Sequence, residues 1–187
     1  PRSHLFPKEG TANLMITLKP IRLKNMETFR HRLITLEDTR FLHCDIKTLN
    51  LIPRVMAAQT AEEAGCTEAV LHRGDRVTEG AHSNVLIIKD GVLKTAPCDN
   101  LILPGITRMH VLQLAKQCGI PVEEKPFTVA ELKDADEILV TSSSALCLRA
   151  ESVDGQAVRQ SASELVRQLQ RAYQEKFERE TAGSLRR

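Results

Sequence analysis

An amine, a carboxylate and a run of hydroxyls stand out: Lys47 within Asp45-Ile46-Lys47-Thr48-Leu49-Asn50, Glu79 within Thr78-Glu79-Gly80, and Thr141 to Ser144. A lysine amine forms a Schiff base with an aldehyde cofactor, a carboxylate keeps a pyridine nitrogen protonated, and hydroxyls beside a helix start hold a phosphate. Those are the three tasks that pyridoxal phosphate sets a protein. Each residue also has a plainer reading. Most lysines are solvated surface groups, a Glu after Val77-Thr78 fits an exposed turn at a strand end, and serines after a buried strand are usually loop hydroxyls. Ile46, Leu49, Leu51 and Ile52 lift Lys47 above that background, because an apolar lining would desolvate the amine and favour imine formation.

Leu103-Pro104-Gly105-Ile106-Thr107-Arg108 reads as a turn running into a helix, whose open amides and positive dipole face an anion. Every helix has such an end, so a phosphate cradle requires Gly105 to Thr107 to converge with Ser142, Ser143 and Ser144. Arg2 and His4, in Pro1-Arg2-Ser3-His4-Leu5-Phe6-Pro7, read either as a disordered end or as a grip on a substrate carboxylate, for which a guanidinium fork is well shaped.

The elements that must position these groups follow from pattern. Asn13 to Leu18 reads as a strand closed by Pro20, and the stretch around Arg32 to Leu36 as another extended segment. Leu49 to Ala64 reads as a helix stopped by Gly65, which puts Lys47 just ahead of it. Glu68 to His72 and Val85 to Ile88 are short apolar strands. Asp90-Gly91 and Asp154-Gly155 mark hairpins, since both residue types tolerate the positive φ of tight turns. Gly105-Ile106-Thr107 opens a helix that Gly119 stops. Thr128-Val129-Ala130-Glu131 and Ser161-Ala162-Ser163-Glu164 have capping-box spacing, the second opening a long terminal helix. Glu137 to Val140 is a buried strand that delivers the hydroxyl run.

The 187 residues fit a domain of ordinary size with a real core, and 26 basic against 24 acidic residues leave no nucleic-acid footprint. Five scattered cysteines without a C-x-x-C pair argue against a disulfide framework or a zinc site, and no histidine pair suggests a metal. No apolar run approaches a membrane span and no signal peptide is visible, so the expectation is a cytoplasmic protein with no membrane partner.

Several phrases in order carry a resemblance: Asp45 to Leu51, Leu71-His72-Arg73, Val77-Thr78-Glu79-Gly80, Ser83-Asn84-Val85, Ile102 to Arg108, and Val140-Thr141-Ser142-Ser143. Over nearly its whole length the chain resembles the fold type IV pyridoxal phosphate enzymes, and within them the D-amino-acid aminotransferases. The resemblance implies a mixed α/β fold, with residues 1–24 as the tail of an otherwise missing N-terminal domain and 25–187 as the cofactor-binding C-terminal domain. It implies that Lys47 is the Schiff-base lysine and proton carrier, that Glu79 partners the ring nitrogen, and that Leu103 packs on the ring. Ile106, Thr107, Ser142 and Ser143 would bind phosphate. Arg2 and His4 would serve the substrate-carboxylate trap of a neighbouring subunit in a homodimer, which turns the reading of that end from disorder to function. The implied reaction exchanges an amino group between D-amino acids and 2-oxo acids. Branched-chain L-amino-acid aminotransferase and aminodeoxychorismate lyase share the apparatus, and a catalytically inactive fragment that only packs or assembles is the reading from another class. Ala81 and His82 depart from the small hydroxyl residues common there.

Overall fold

The computed structural model describes residues 5, 10, 11 and 13–182. In chain order these form β1 (Arg30–Glu37), α1 (Ile52–Glu63), β2 (Glu68–Arg73), β3 (Arg76–Gly80), β4 (Asn84–Lys89), β5 (Val92–Thr95), α2 (Ile106–Gln117), β6 (Val122–Glu124), α3 (Val129–Lys133), β7 (Glu137–Ser142), β8 (Leu146–Val153), β9 (Gln156–Ala157) and α4 (Ser163–Ala182). One mixed sheet runs β3-β2-β1-β8-β7-β4-β5-β6, with β9 on the free side of β8's end. Strand β1 lies parallel to both β2 and β8, β5 lies parallel to β6, and the remaining pairs are antiparallel.

Strand β4 shows why the sequence reads as it does. Val85-Leu86-Ile87-Ile88 is apolar at every position because both faces are covered. Leu86 and Ile88 join a cluster with Leu139, Leu148, Val111, Leu112, Val166 and Leu169, so α2 and α4 pack on that face. Val85 and Ile87 join Leu33, Val70, Ile138, Val140, Phe127 and Leu132 on the other. A smaller cluster, Ala61, Ala69, Leu71 and Ala81, seats α1 on β2. Asp90 and Gly91 turn β4 into β5 at φ of 48° and 77°, and Asp154 and Gly155 turn β8 into β9 at 49° and 74°, both as the dipeptides predict. The Thr128 hydroxyl and Glu131 form the expected capping box of α3.

Three expectations fail, each for a physical reason. Residues 13–18 form no strand: Leu14, Met15, Ile16 and Leu18 are exposed and no neighbouring strand supplies a ladder. The plainer reading of Glu79, an exposed turn at a strand end, fails because the edge strand runs on through Gly80 and Glu79 is buried within it to 1% exposure. The capping box expected at Ser161 does not form, because the Glu164 carboxylate accepts instead from Arg167 and Arg171, and the terminal helix starts at Ser163. Its hydroxyl is turned to the buried ion pair of Glu137 and Arg149, donating to Glu137 Oε1 (3.1 Å) and accepting from Arg149 Nη2 (2.8 Å).

His31 on β1 is buried, with Nδ1 2.9 Å from the Thr67 hydroxyl and its Nε2 without a partner. Burial, with Lys24 and His82 adding repulsion, lowers its pKa from 6.5 to about 4. The unfolded imidazole therefore takes up a proton that the folded one refuses. The contribution is intact above the unfolded pKa and is lost as pH falls towards the folded one. We predict that stability from urea unfolding drops by about 2 kcal/mol between pH 7 and pH 5 through this group, and that His31→Gln removes that part of the slope.

Candidate active site

Lys47, Glu79, Leu103, Ile106, Thr107, Ser142 and Ser143 all line one cavity of about 590 Å³. Arg2 and His4 lie outside the described residues. Lys47 comes from the irregular segment between β1 and α1, one turn ahead of the helix that Pro53 helps to start in its first turn. Of the apolar neighbours expected around it, Ile46 and Leu51 line the same cavity, but Ile46, Leu49, Leu51 and Ile52 are all exposed, as is Lys47 itself.

Opposite in character is Glu79, a buried carboxylate whose oxygens meet donors only. Oε1 accepts from Arg40 Nη1 and from Arg54 Nη2, the latter at 2.8 Å. Oε2 accepts from Asn84 Nδ2 and from the Leu103 amide, each at 3.0 Å. Four donors and no acceptor are the surroundings of an ionised carboxylate. Burial holds the Glu79 carboxyl above its ordinary value, and Arg40, Arg54 and the Leu103 amide offset only part of that rise.

Arg40 is itself held from behind. Its Nε and Nη2 donate to the two oxygens of Asp38 at 2.8 and 2.7 Å, and Nη2 also reaches the Leu101 carbonyl at 3.0 Å. Such a bidentate fork fixes the plane of the guanidinium, which leaves Nη1 aimed at Glu79. Burial works against charge on both partners, but the Arg40 side chain and amide, with Arg73 beyond, hold Asp38 below the usual carboxylate range. For Arg40 the bonds to Asp38 and Glu79 outweigh burial and raise its pKa. Thr78 closes the group, its hydroxyl 3.0 Å from Asp38 Oδ2.

Gly105 shows how the chain accommodates this. Its φ of −65° suits any residue, but a Cβ there would collide with the Asn84 carboxamide. That carboxamide bridges Glu79 and the Leu103 carbonyl, the latter at 2.9 Å. The small residue thus lets α2 begin against the carboxylate's holder. No side chain caps α2, so its leading amides stay open towards the cavity that Ile106 and Thr107 line. At the end of β7, Thr141 Oγ1 is buried without a hydrogen-bond partner, and Ser142 to Ser144 follow it into the same cavity. Helix start and hydroxyl run converge, as a cradle for an anion requires.

Residues that sequence reasoning passed over are Asp38, Arg40 and Arg54. Arg54 reads as a solvated helix residue and Arg40 as part of a polar connection, and nothing local to either reveals a carboxylate 39 or 25 positions away. His82 lines the cavity, whereas Ala81 is buried with its amide on Glu68 and the Ala69 carbonyl. Cys44 also lines it, but burial pushes its thiol up, so it stays protonated at neutral pH. Among the described residues no group of three or more His, Cys, Asp or Glu is arranged for a metal ion, and no helix is long and apolar enough to cross a membrane.

A profile of the family described as Amino-transferase class IV matches residues 3–153. The D-alanine aminotransferase of Bacillus licheniformis is 42% identical over 187 residues, covering 99% of this chain and 66% of its own length. That of Listeria monocytogenes (serotype 4b) is 44% identical over 161 residues, covering 83% of this chain and 55% of its own. Among solved structures, the branched-chain amino acid aminotransferase of Thermobaculum terrenum in its PLP form superimposes with a TM-score of 0.74 at 28% identity, over 82% of this chain and 53% of that one. The chain thus spans 55% to 66% of the length of these two D-alanine aminotransferases.

Removing the inner guanidinium leaves two buried carboxylates short of a counter-ion. Arg40→Leu is predicted to lower the free energy of urea unfolding by about 3–5 kcal/mol. Arg54→Leu costs less than half of that, because the Arg54 side chain is 20% exposed against 3% for Arg40 and solvent screens its pair.

Proposed function

The chain belongs to the class IV amino-transferases, and from that premise we propose that it forms the pyridoxal phosphate-binding part of an enzyme that exchanges amino groups between D-amino acids and 2-oxo acids. The observation that carries the reading is a single cavity shared by Lys47, the buried Glu79, an uncapped helix start and the hydroxyls of Thr107, Ser142 and Ser143. Those groups fit the cofactor at three points. An amine suits an aldehyde, an ionised carboxylate suits a protonated ring nitrogen, and the open amides with an unpartnered Thr141 hydroxyl suit a phosphate.

Pyridoxal phosphate, when bound, supplies the aldehyde that takes up and returns the amino group and a ring that draws electrons from the substrate carbon. The chain's own residues do the rest. Lys47 Nζ would hold the cofactor and would serve as the general base and acid that moves the substrate's α-proton. Glu79 keeps the proton on the ring nitrogen, and its own charge is sustained by Arg40. Leu103 would lie against the ring, and Ile106 and Thr107 at the start of α2, with Ser142 and Ser143, would hold the phosphate. Arg2 and His4 take the substrate carboxylate across a homodimer, so that residues 1–24 act as a link and 25–187 as the cofactor domain.

D-specificity is supported by the 41–44% identity to D-alanine aminotransferases, against 28% to a branched-chain enzyme. Five unpaired cysteines suit the cytoplasm. The protein supplied with pyridoxal phosphate is expected to develop an absorbance band that Lys47→Ala abolishes. It is expected to turn over D-alanine with a 2-oxo acid about 10²–10⁴-fold faster than the variant does. Turnover of L-leucine alone, or a band unchanged in Lys47→Ala, contradicts the reading.

A further inference from the structure

Glu79 accepts four hydrogen bonds, and four is about the number of acceptor sites that a carboxylate offers. A ring N–H would be a fifth claim on it. If Glu79 partners the ring nitrogen, the reading on which this inference rests, one of the present donors must give way.

Three of the four are tied down. Arg40 is clamped by both oxygens of Asp38 and by the Leu101 carbonyl, and its side chain is 3% exposed. Asn84 is buried and bonded to the Leu103 carbonyl as well. The Leu103 donor is backbone at the turn ahead of α2. Arg54 differs in each respect. It is a long, flexible side chain from the first turn of α1, 20% exposed, and it lines the cavity. Its other hydrogen bond runs from Nη1 to the Ala81 carbonyl at 3.0 Å, which is compatible with release of Nη2.

We propose that Arg54 is the displaceable donor: it holds Glu79 Oε1 in the cofactor-free protein and yields that oxygen to the protonated pyridine nitrogen, so that Arg54 and pyridoxal phosphate compete for one carboxylate. The exchange replaces one cation by another, and Glu79 is at no point buried without a counter-charge. Arg40 remains as the fixed partner throughout. Arg54 is on this account a positioning residue that sets cofactor affinity and makes no bond to the reacting atoms.

The test is a titration of cofactor-free protein with pyridoxal phosphate, followed by absorbance and by the fluorescence of Tyr173, the one tyrosine in a chain without tryptophan. The proteins compared are the wild type, Arg54→Leu, Arg54→Met, Glu79→Gln and the Arg54→Leu/Glu79→Gln double variant, with folding checked by circular dichroism. Both Arg54 substitutions are expected to tighten binding by roughly threefold to tenfold, the worth of a partly exposed charge-assisted hydrogen bond. In the Glu79→Gln background the gain is expected to vanish, since the contested carboxylate is gone. Unchanged or weaker binding in the Arg54 variants, while Glu79→Gln still weakens binding and shifts the band, overturns the proposal and spares the reading of Glu79. A Glu79→Gln protein with unaltered affinity and band overturns that reading itself.

Discussion

A carboxylate out of reach of water must be matched by donors, and the placement of Glu79 at 1% exposure sets that demand for the whole cavity wall. Its four donors come from four different parts of the chain: the start of the connection leaving β1, the first turn of α1, the start of β4 and the turn ahead of α2. The sheet order brings them together. Strand β3 lies at the edge beside β2 and follows the parallel β1–β2 pair, so the segment leaving β1 passes over Glu79 and delivers Asp38 and Arg40 to it. From there the same segment runs on through Lys47 into α1. One charged group thus ties the lysine-bearing connection to the helix that presents the anion-binding end.

The wall has a permanent layer and an exchangeable one. Asp38, Arg40 and Thr78 form a satisfied network with side chains at most a few per cent exposed, and its cost of desolvation is met by hydrogen bonds on every side. Arg54 and His82 lie at the solvent side, where screening makes contacts weak and rearrangement cheap. A buried ionic network of this kind fixes geometry more than it adds stability. For an amino-transferase of class IV, that division gives a carboxylate held in place by fixed donors beside a cavity mouth whose side chains are free to rearrange.

Much of this architecture is legible in the chain, because local rules and tertiary structure agree for most elements. Strand β4 reads as buried from its unbroken apolar run, the dipeptides Asp90-Gly91 and Asp154-Gly155 mark the turns, and the Thr128 box opens α3. The family resemblance orders Lys47, Glu79, Leu103 and the segments Ile106-Thr107 and Ser142-Ser143, and these residues line one cavity. Where reading fails, the cause is non-local. Leu14 to Leu18 has strand composition but no strand beside it, and Glu79 reads equally as an exposed turn residue because its partners lie far away in sequence. Arg40 and Arg54 carry no local signal at all. An arginine on a connection or a helix turn looks the same whether it faces water or a buried acid.

The central claim is that the Lys47 amine and the Glu79 carboxylate address two ends of one pyridoxal phosphate. A diffraction structure of the protein with this cofactor added tests it most directly. The account predicts continuous density from Lys47 Nζ to the cofactor's aldehyde carbon, a Glu79 oxygen within about 3.2 Å of the ring nitrogen, and the phosphate against the start of α2 and Ser142. A cofactor attached to another residue, or one whose ring nitrogen faces solvent while Glu79 stays enclosed by its four present donors, would contradict it.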